Sequence, residues 1–132
     1  MDTAKTIYLV DDDPDDRMFI SQAFHQVTPG VKVVEATSGF ELLTLILQEK
    51  DPNTTLILMD INMPKMSGLE TLKALKSDFK LSHIPVVMIS TTSNPSYIKS
   101  AYAEGIVDFI CKPSTLKGFT DLANQITNSY FG

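Results

Sequence analysis

Apolar and polar positions alternate along the chain in two rhythms. Five short runs are rich in β-branched and other apolar residues and read as strands: Thr6–Asp11, Val31–Ala36, Thr55–Asp60, Pro85–Ser90 and Val107–Cys111. Within them TIYLV, LILM and VVMI are essentially continuous in apolar character, the pattern of strands covered on both faces. VKVVEA is more polar and reads as an edge strand. Between the runs the period changes to that of a helix. Ile20, Ala23, Phe24 and Val27 follow i, i+3, i+4, i+7, behind Asp13 as N-cap and Pro14 at the first helical position. Ser38 with Glu41, and Ser67 with Glu70, have capping-box spacing ahead of Leu-rich periodic runs. Asn94-Pro95 opens a fourth helix, and Thr115 or Ser114 a fifth, in which Leu116, Phe119, Ala123, Ile126 and Tyr130 form one stripe. These stripes are read as core packing. Strand and helix alternate five times, which predicts an α/β fold: a parallel sheet sandwiched by helices and joined by right-handed crossovers. Residues 1–132 read as one domain, with no output domain after the fifth helix.

Size and charge narrow the function. The 132 residues suit one core, and 43% apolar with 20% charged is ordinary for a globular protein. A net charge of −5 argues against non-specific nucleic-acid binding, which needs a basic patch, and suits a cationic ligand. The single cysteine, Cys111, cannot form an internal disulfide, in keeping with a reducing compartment; it reads as a packed residue rather than a redox sensor. MDTAKTIYLV lacks a basic n-region and the apolar core of a signal peptide, and no apolar run approaches the ~18 residues of a membrane span. The expected location is cytoplasmic, with neither membrane nor nucleic acid as partner.

Polar residues gather at one kind of position. Ligands of open α/β sheets bind outside the carboxyl ends of the strands. There stand Asp11 and Asp12 at the end of the first strand, Asp60 at the end of the third, Ser90 at the end of the fourth and Lys112 just past the fifth. One such aspartate would be a cap or turn residue. Acids, hydroxyl and lysine from four strands on one rim make a site. Three carboxylates favour a hard divalent cation, Mg²⁺ with Mn²⁺ as the alternative. Lys112 and Ser90 then supply the charge and the donor that stabilise a phosphoryl group in transfer, for which an aspartate can be the nucleophile. In LVDDDPDD, Asp13 reads as the helix cap, and Asp15 and Asp16 as first-turn acids favoured by the helix dipole rather than as metal ligands.

LVDDDPDD, LILMDINMPKMSGLE, VVMIST and FICKP, in that order and spacing, resemble the receiver domain of two-component response regulators over essentially the whole chain. The resemblance implies a flavodoxin-like, doubly wound sheet of order 2-1-3-4-5. It implies Asp60 as phosphoacceptor, Asp12 as a direct Mg²⁺ ligand, Asp11 as a ligand mainly through water, and Asn62 as a ligand through its backbone carbonyl. Ser90 matches the family's switch hydroxyl, Phe109 its switch aromatic, and Lys112 the lysine that pairs with the acceptor or its phosphate. A cis peptide between Lys112 and Pro113 is also implied. Three positions depart from the commonest pattern: Ser67 where many receivers have Asp, Thr92 two residues past the switch hydroxyl, where the phosphate's lifetime is tuned, and Ser114 after Lys-Pro. The expected role is a signalling domain rather than an enzyme of turnover. It would take a phosphoryl group from a sensor histidine kinase or histidine phosphotransfer protein and bind a downstream protein through helix 4, strand 5 and helix 5, as a monomer or a weak phosphorylation-dependent dimer. A phosphorelay shuttle is the alternative. A small aspartyl-phosphate phosphohydrolase is disfavoured because Asp11-x-Asp13 is followed by Pro14-Asp15 and no acidic pair follows the lysine. A flavodoxin-like carrier is disfavoured because five aspartates after strand 1 would repel a phosphate. His25 and His83 read as surface residues away from the rim.

Overall fold

Every residue of β1 (Thr6–Val10) is buried, as expected of a central strand with helices on both faces. The computed structural model describes residues 5–49, 55–61, 63, 66–91 and 94–131. The chain continues through α1 (Pro14–Val27), β2 (Lys32–Ala36), α2 (Gly39–Ile46), β3 (Thr55–Asp60), α3 (Gly68–Ser77), β4 (Val86–Ser90), α4 (Pro95–Ala103), β5 (Asp108–Cys111) and α5 (Leu116–Ile126). A π-helical turn, Thr127–Phe131, extends the last helix. The five strands form one parallel sheet in the order β2-β1-β3-β4-β5. This is the doubly wound arrangement expected, with polar β2 at one edge and β5 at the other.

The period-two alternation of each strand sends its side chains into two separate cores. Tyr8, Val10, Ile57, Met59 and Met88 face α2, α3 and α4, packing against Leu42, Ile46, Leu72, Leu75 and Ala101. Ile7, Leu9, Leu58, Val87 and Ile89 face α1 and α5, meeting Ile20, Phe24, Phe119, Leu122 and Ile126. Each fully buried aliphatic side chain here contributes about 1.5–3 kcal/mol. Phe19 and Phe119 stack with ring centroids 5.6 Å apart and tie α1 to α5 beside the rim.

The caps follow the sequence. Asp13, Ser38, Ser67, Asn94 and Thr115 are the N-caps of α1 to α5. Ser67 and Glu70 close a full capping box. At α2 only half of one forms: Ser38 accepts from the Glu41 amide, while the Glu41 carboxylate accepts from Thr37 N–H instead. Two residues differ from expectation. Leu116, the first residue of α5, is 69% exposed and lies outside the core stripe. Cys111, the last residue of the edge strand β5, is exposed and not packed. His25 and His83 are exposed, as expected.

Candidate functional site

The strand order reverses between β1 and β3, whose neighbours in sequence lie on opposite sides. A crevice opens at such a point outside the carboxyl ends. Asp11 and Asp12 leave β1 there and Asp60 ends β3. Ligand oxygens of these three acids lie within 4.8 Å of one another, with Asp11 and Asp60 buried and Asp12 exposed. Three oxygen donors with one face open to solvent fit a hard divalent cation that keeps part of its water.

Asp11 is the most constrained member. It is 0% exposed; one carboxylate oxygen accepts from Asp13 N–H at 2.9 Å and the other from Lys112 Nζ at 2.9 Å. Burial pushes its carboxyl above the ordinary aspartate range, against those hydrogen bonds and the Lys112 charge, which pull it down. Lys112 follows β5 and its side chain is only 8% exposed. Its ammonium reaches Asp11 and Asp16, each at 2.9 Å, and Asp60 at 3.4 Å. Burial alone would lower its pKa; the hydrogen bonds to Asp11 and Asp16 and the charge of Asp60 outweigh that and hold it above the usual lysine value.

Ser90 is fully buried at the end of β4, and its carbonyl accepts from Lys112 N–H at 2.8 Å, which fixes where the lysine's backbone starts. Phe109, opposite Met88 in β5, is half-buried against the core that holds Ala101 of α4. Asn62 and Thr92 lie outside the described residues. The Lys112–Pro113 peptide is trans, so the expected cis bond is corrected. Trans is the intrinsically favoured form of an X–Pro bond, and Lys112 reaches all three carboxylates with it.

Three further residues complete the site: Asp16, expected only as a first-turn acid of α1, together with Arg17 and Gly68. Asp16 caps nothing; its carboxylate binds Lys112. A side chain at the third position of a helix leans back toward the helix N-terminus, so an acid there is carried over the rim from which the helix starts. Arg17 donates from Nη1 to the Asp11 carbonyl at 2.7 Å and from Nε to Glu35 of β2 at 3.2 Å, bracing the turn after β1. Gly68 seats α3 directly on the strand that ends in Asp60, its amide donating to the Ile61 carbonyl at 3.1 Å. A Cβ there would stand 2.8 Å from both the Asp60 carbonyl oxygen and Ile61 Cα. Neither is a flexible side-chain end, so Gly68→Ala should lose roughly 1–3 kcal/mol by overpacking. Urea denaturation measures it, and wild-type stability would show that the β3–α3 junction yields freely.

The chain matches the family model for the response regulator receiver domain over residues 7–124. It is 36% identical over 121 residues to the two-component response regulator ORR6 of Oryza sativa subsp. japonica, covering 91% of this chain and 69% of that protein. A probable cyclic di-GMP phosphodiesterase of Vibrio cholerae is 35% identical over 111 residues, 84% of this chain but 24% of that protein. Among solved structures, the phosphorylated cyanobacterial phytochrome response regulator RcpA superimposes with a TM-score of 0.87 at 32% identity, covering 98% of this chain and 96% of that one. The Mn²⁺-bound form of response regulator Rcp1 gives 0.80 at 25%, covering 94% and 92%. Order of strands, acidic crevice and sequence agree: this chain belongs to the receiver domain family of the response regulators of two-component signalling.

Proposed function

We propose that Asp60 accepts a phosphoryl group from a phosphohistidine on a sensor kinase or histidine phosphotransfer protein, and that the modified domain signals by changing which protein it binds. The observation that carries this reading is the meeting of Asp60 with Lys112 beside Asp11 and Asp12 at the reversal of the sheet. In the transfer, an Asp60 carboxylate oxygen attacks phosphorus and forms a P–O bond. The donor's P–N bond breaks, and the imidazole nitrogen leaves with the electron pair. A phosphoryl in transfer carries its charge on three oxygens, so catalysis is mostly positioning and charge stabilisation. Lys112, already fixed by its carboxylates, offers the ammonium. Ser90 offers a hydroxyl from the end of the next strand. Asp11, Asp12 and Asp60 would hold Mg²⁺ or Mn²⁺, with Asn62 as the fourth member implied by the family; bound there, the ion neutralises charge on the phosphoryl oxygens.

Output follows from the same contacts. A phosphoryl oxygen that accepts from Ser90 favours a state in which the β4–α4 junction is drawn toward Asp60. Phe109, half-buried against the core under α4, follows into the space released. Differential affinity for two existing states is all that such a switch needs. The face that changes is α4, β5 and α5, where Tyr97 and Tyr102 are exposed.

Incubation with acetyl phosphate and Mg²⁺ should add one phosphoryl group, seen by intact mass; no uptake by the wild-type chain would sink the reading. The division of the aspartates is tested alongside. Asp12→Ala should abolish metal-dependent labelling. Asp13→Ala should leave labelling in place and cost about 1 kcal/mol, because Asp13 accepts from the Asp15 and Asp16 amides as the cap of α1. Equal loss of labelling in the two variants would show the acids divided wrongly.

A further inference from the structure

We propose that Asp16 is a positioning residue: it holds the Lys112 ammonium back from Asp60 and competes with the incoming phosphoryl group for it. The inference rests on the phosphoacceptor reading of Asp60. An ammonium has three N–H donors, and here three carboxylates share them unequally. Asp11 and Asp16 sit at 2.9 Å and Asp60 at 3.4 Å. The acceptor therefore has the longest contact of the three.

Asp16 differs from its two rivals in what else it does. Asp11 and Asp60 belong with Asp12 to the group of oxygens that can hold a cation; Asp16 stands outside that group. Its carboxylate meets the site through Lys112. It is also well anchored, since its amide donates to the Asp13 carboxylate at 3.3 Å and its helix is seated by Ile20, Ala23 and Phe24. A fixed carboxylate on the α1 side draws the ammonium toward α1 and neutralises part of the charge that a phosphoryl on Asp60 would use. With Asp16 neutral, Lys112 stays in place through Asp11 but shifts toward the acceptor with its charge less shared.

The size of the effect follows from exposure. The Asp16 side chain is 24% exposed and that of Lys112 8%. A partly solvated ion pair of this kind changes a rate roughly two- to fivefold. Asp16→Asn and Asp16→Ser should therefore raise the maximal rate of phosphorylation by acetyl phosphate by about that factor, with the half-saturating donor concentration little changed. Asp15→Asn, one residue away on an exposed carboxylate, should match the wild type. Asp16→Glu, which keeps the charge, should return the rate toward the wild-type value. A second reading needs no phosphoryl donor: in metal-free protein the Lys112 ¹⁵Nζ resonance should move in Asp16→Asn and stay in Asp15→Asn. Normal wild-type labelling with Asp16→Asn no faster than Asp15→Asn, or an unmoved Nζ resonance, overturns the restraint alone. A wild-type chain that takes no phosphoryl group overturns the acceptor reading and the restraint together.

Discussion

Asp60→Asn should take up no phosphoryl group from acetyl phosphate or from a phosphorylated donor protein, while remaining folded. Asparagine keeps the shape of the side chain, but its amide oxygen is not a nucleophile at phosphorus. The neighbouring acids are poor substitutes. Asp11 is fully buried, with one oxygen engaged by Asp13 N–H and the other by Lys112. Asp12 is exposed, and in the variant the Lys112 ammonium still points at Asp11 and Asp16. Stability should be at or above that of the wild type. The substitution removes one of three crowded like charges, and Lys112 retains two closer partners. Intact mass and thermal unfolding check both halves. Wild-type labelling in the variant would move the acceptor to another residue.

The sheet was legible because burial on both faces writes itself as uninterrupted apolar runs. TIYLV coincides with β1, and LILM and VVMI fall within β3 and β4, to within a residue of their ends. Caps were legible because they are local: Asp13, Ser67, Asn94 and Thr115 each need only partners two or three residues on. The residues of the site could be listed from strand ends, but how they pair could not. Lys112 and Asp16 are 96 positions apart, and their contact depends on the start of α1 and the end of β5 meeting at the same rim of the sheet, which no periodicity encodes. The reading of Asp16 as a first-turn acid was right about its place and incomplete about its partner. Leu116 has helical spacing but is the exposed first residue of α5, and Cys111 has strand spacing but is the exposed last residue of an edge strand. Gly68 was visible as a letter in a motif. Its reason, an α3 backbone pressed on the Asp60 carbonyl, needed the third dimension.

Lys112→Met should cost about 3 kcal/mol at neutral pH, and the loss should depend on pH in a direction that identifies Asp11 as its source. Methionine fills much of the lysine's volume, so packing changes little. What remains is a carboxylate with 0% exposure that has lost its Lys112 partner, and breaking a buried pair from one side costs roughly 3–5 kcal/mol. The crevice opens on Asp12, which puts the expected value at the low end of that range. Asp11 already titrates above the aspartate value of 3.8 because of burial, and without Lys112 it keeps, among the described residues, the Asp13 amide to oppose the rise. A group whose folded pKa is raised binds its proton more tightly in the folded state. Its contribution is then fully present below the unfolded value and is lost as pH rises through the folded one. The variant should therefore approach wild-type stability toward pH 4 and fall behind as pH increases. Asp11→Asn in the same background should flatten that dependence and recover most of the loss, since the amide needs no counter-charge. Urea denaturation of the single and double variants across this range measures the coupling. A penalty for Lys112→Met that is constant from pH 4 to 8 would place its cost in packing and not in the buried carboxylate.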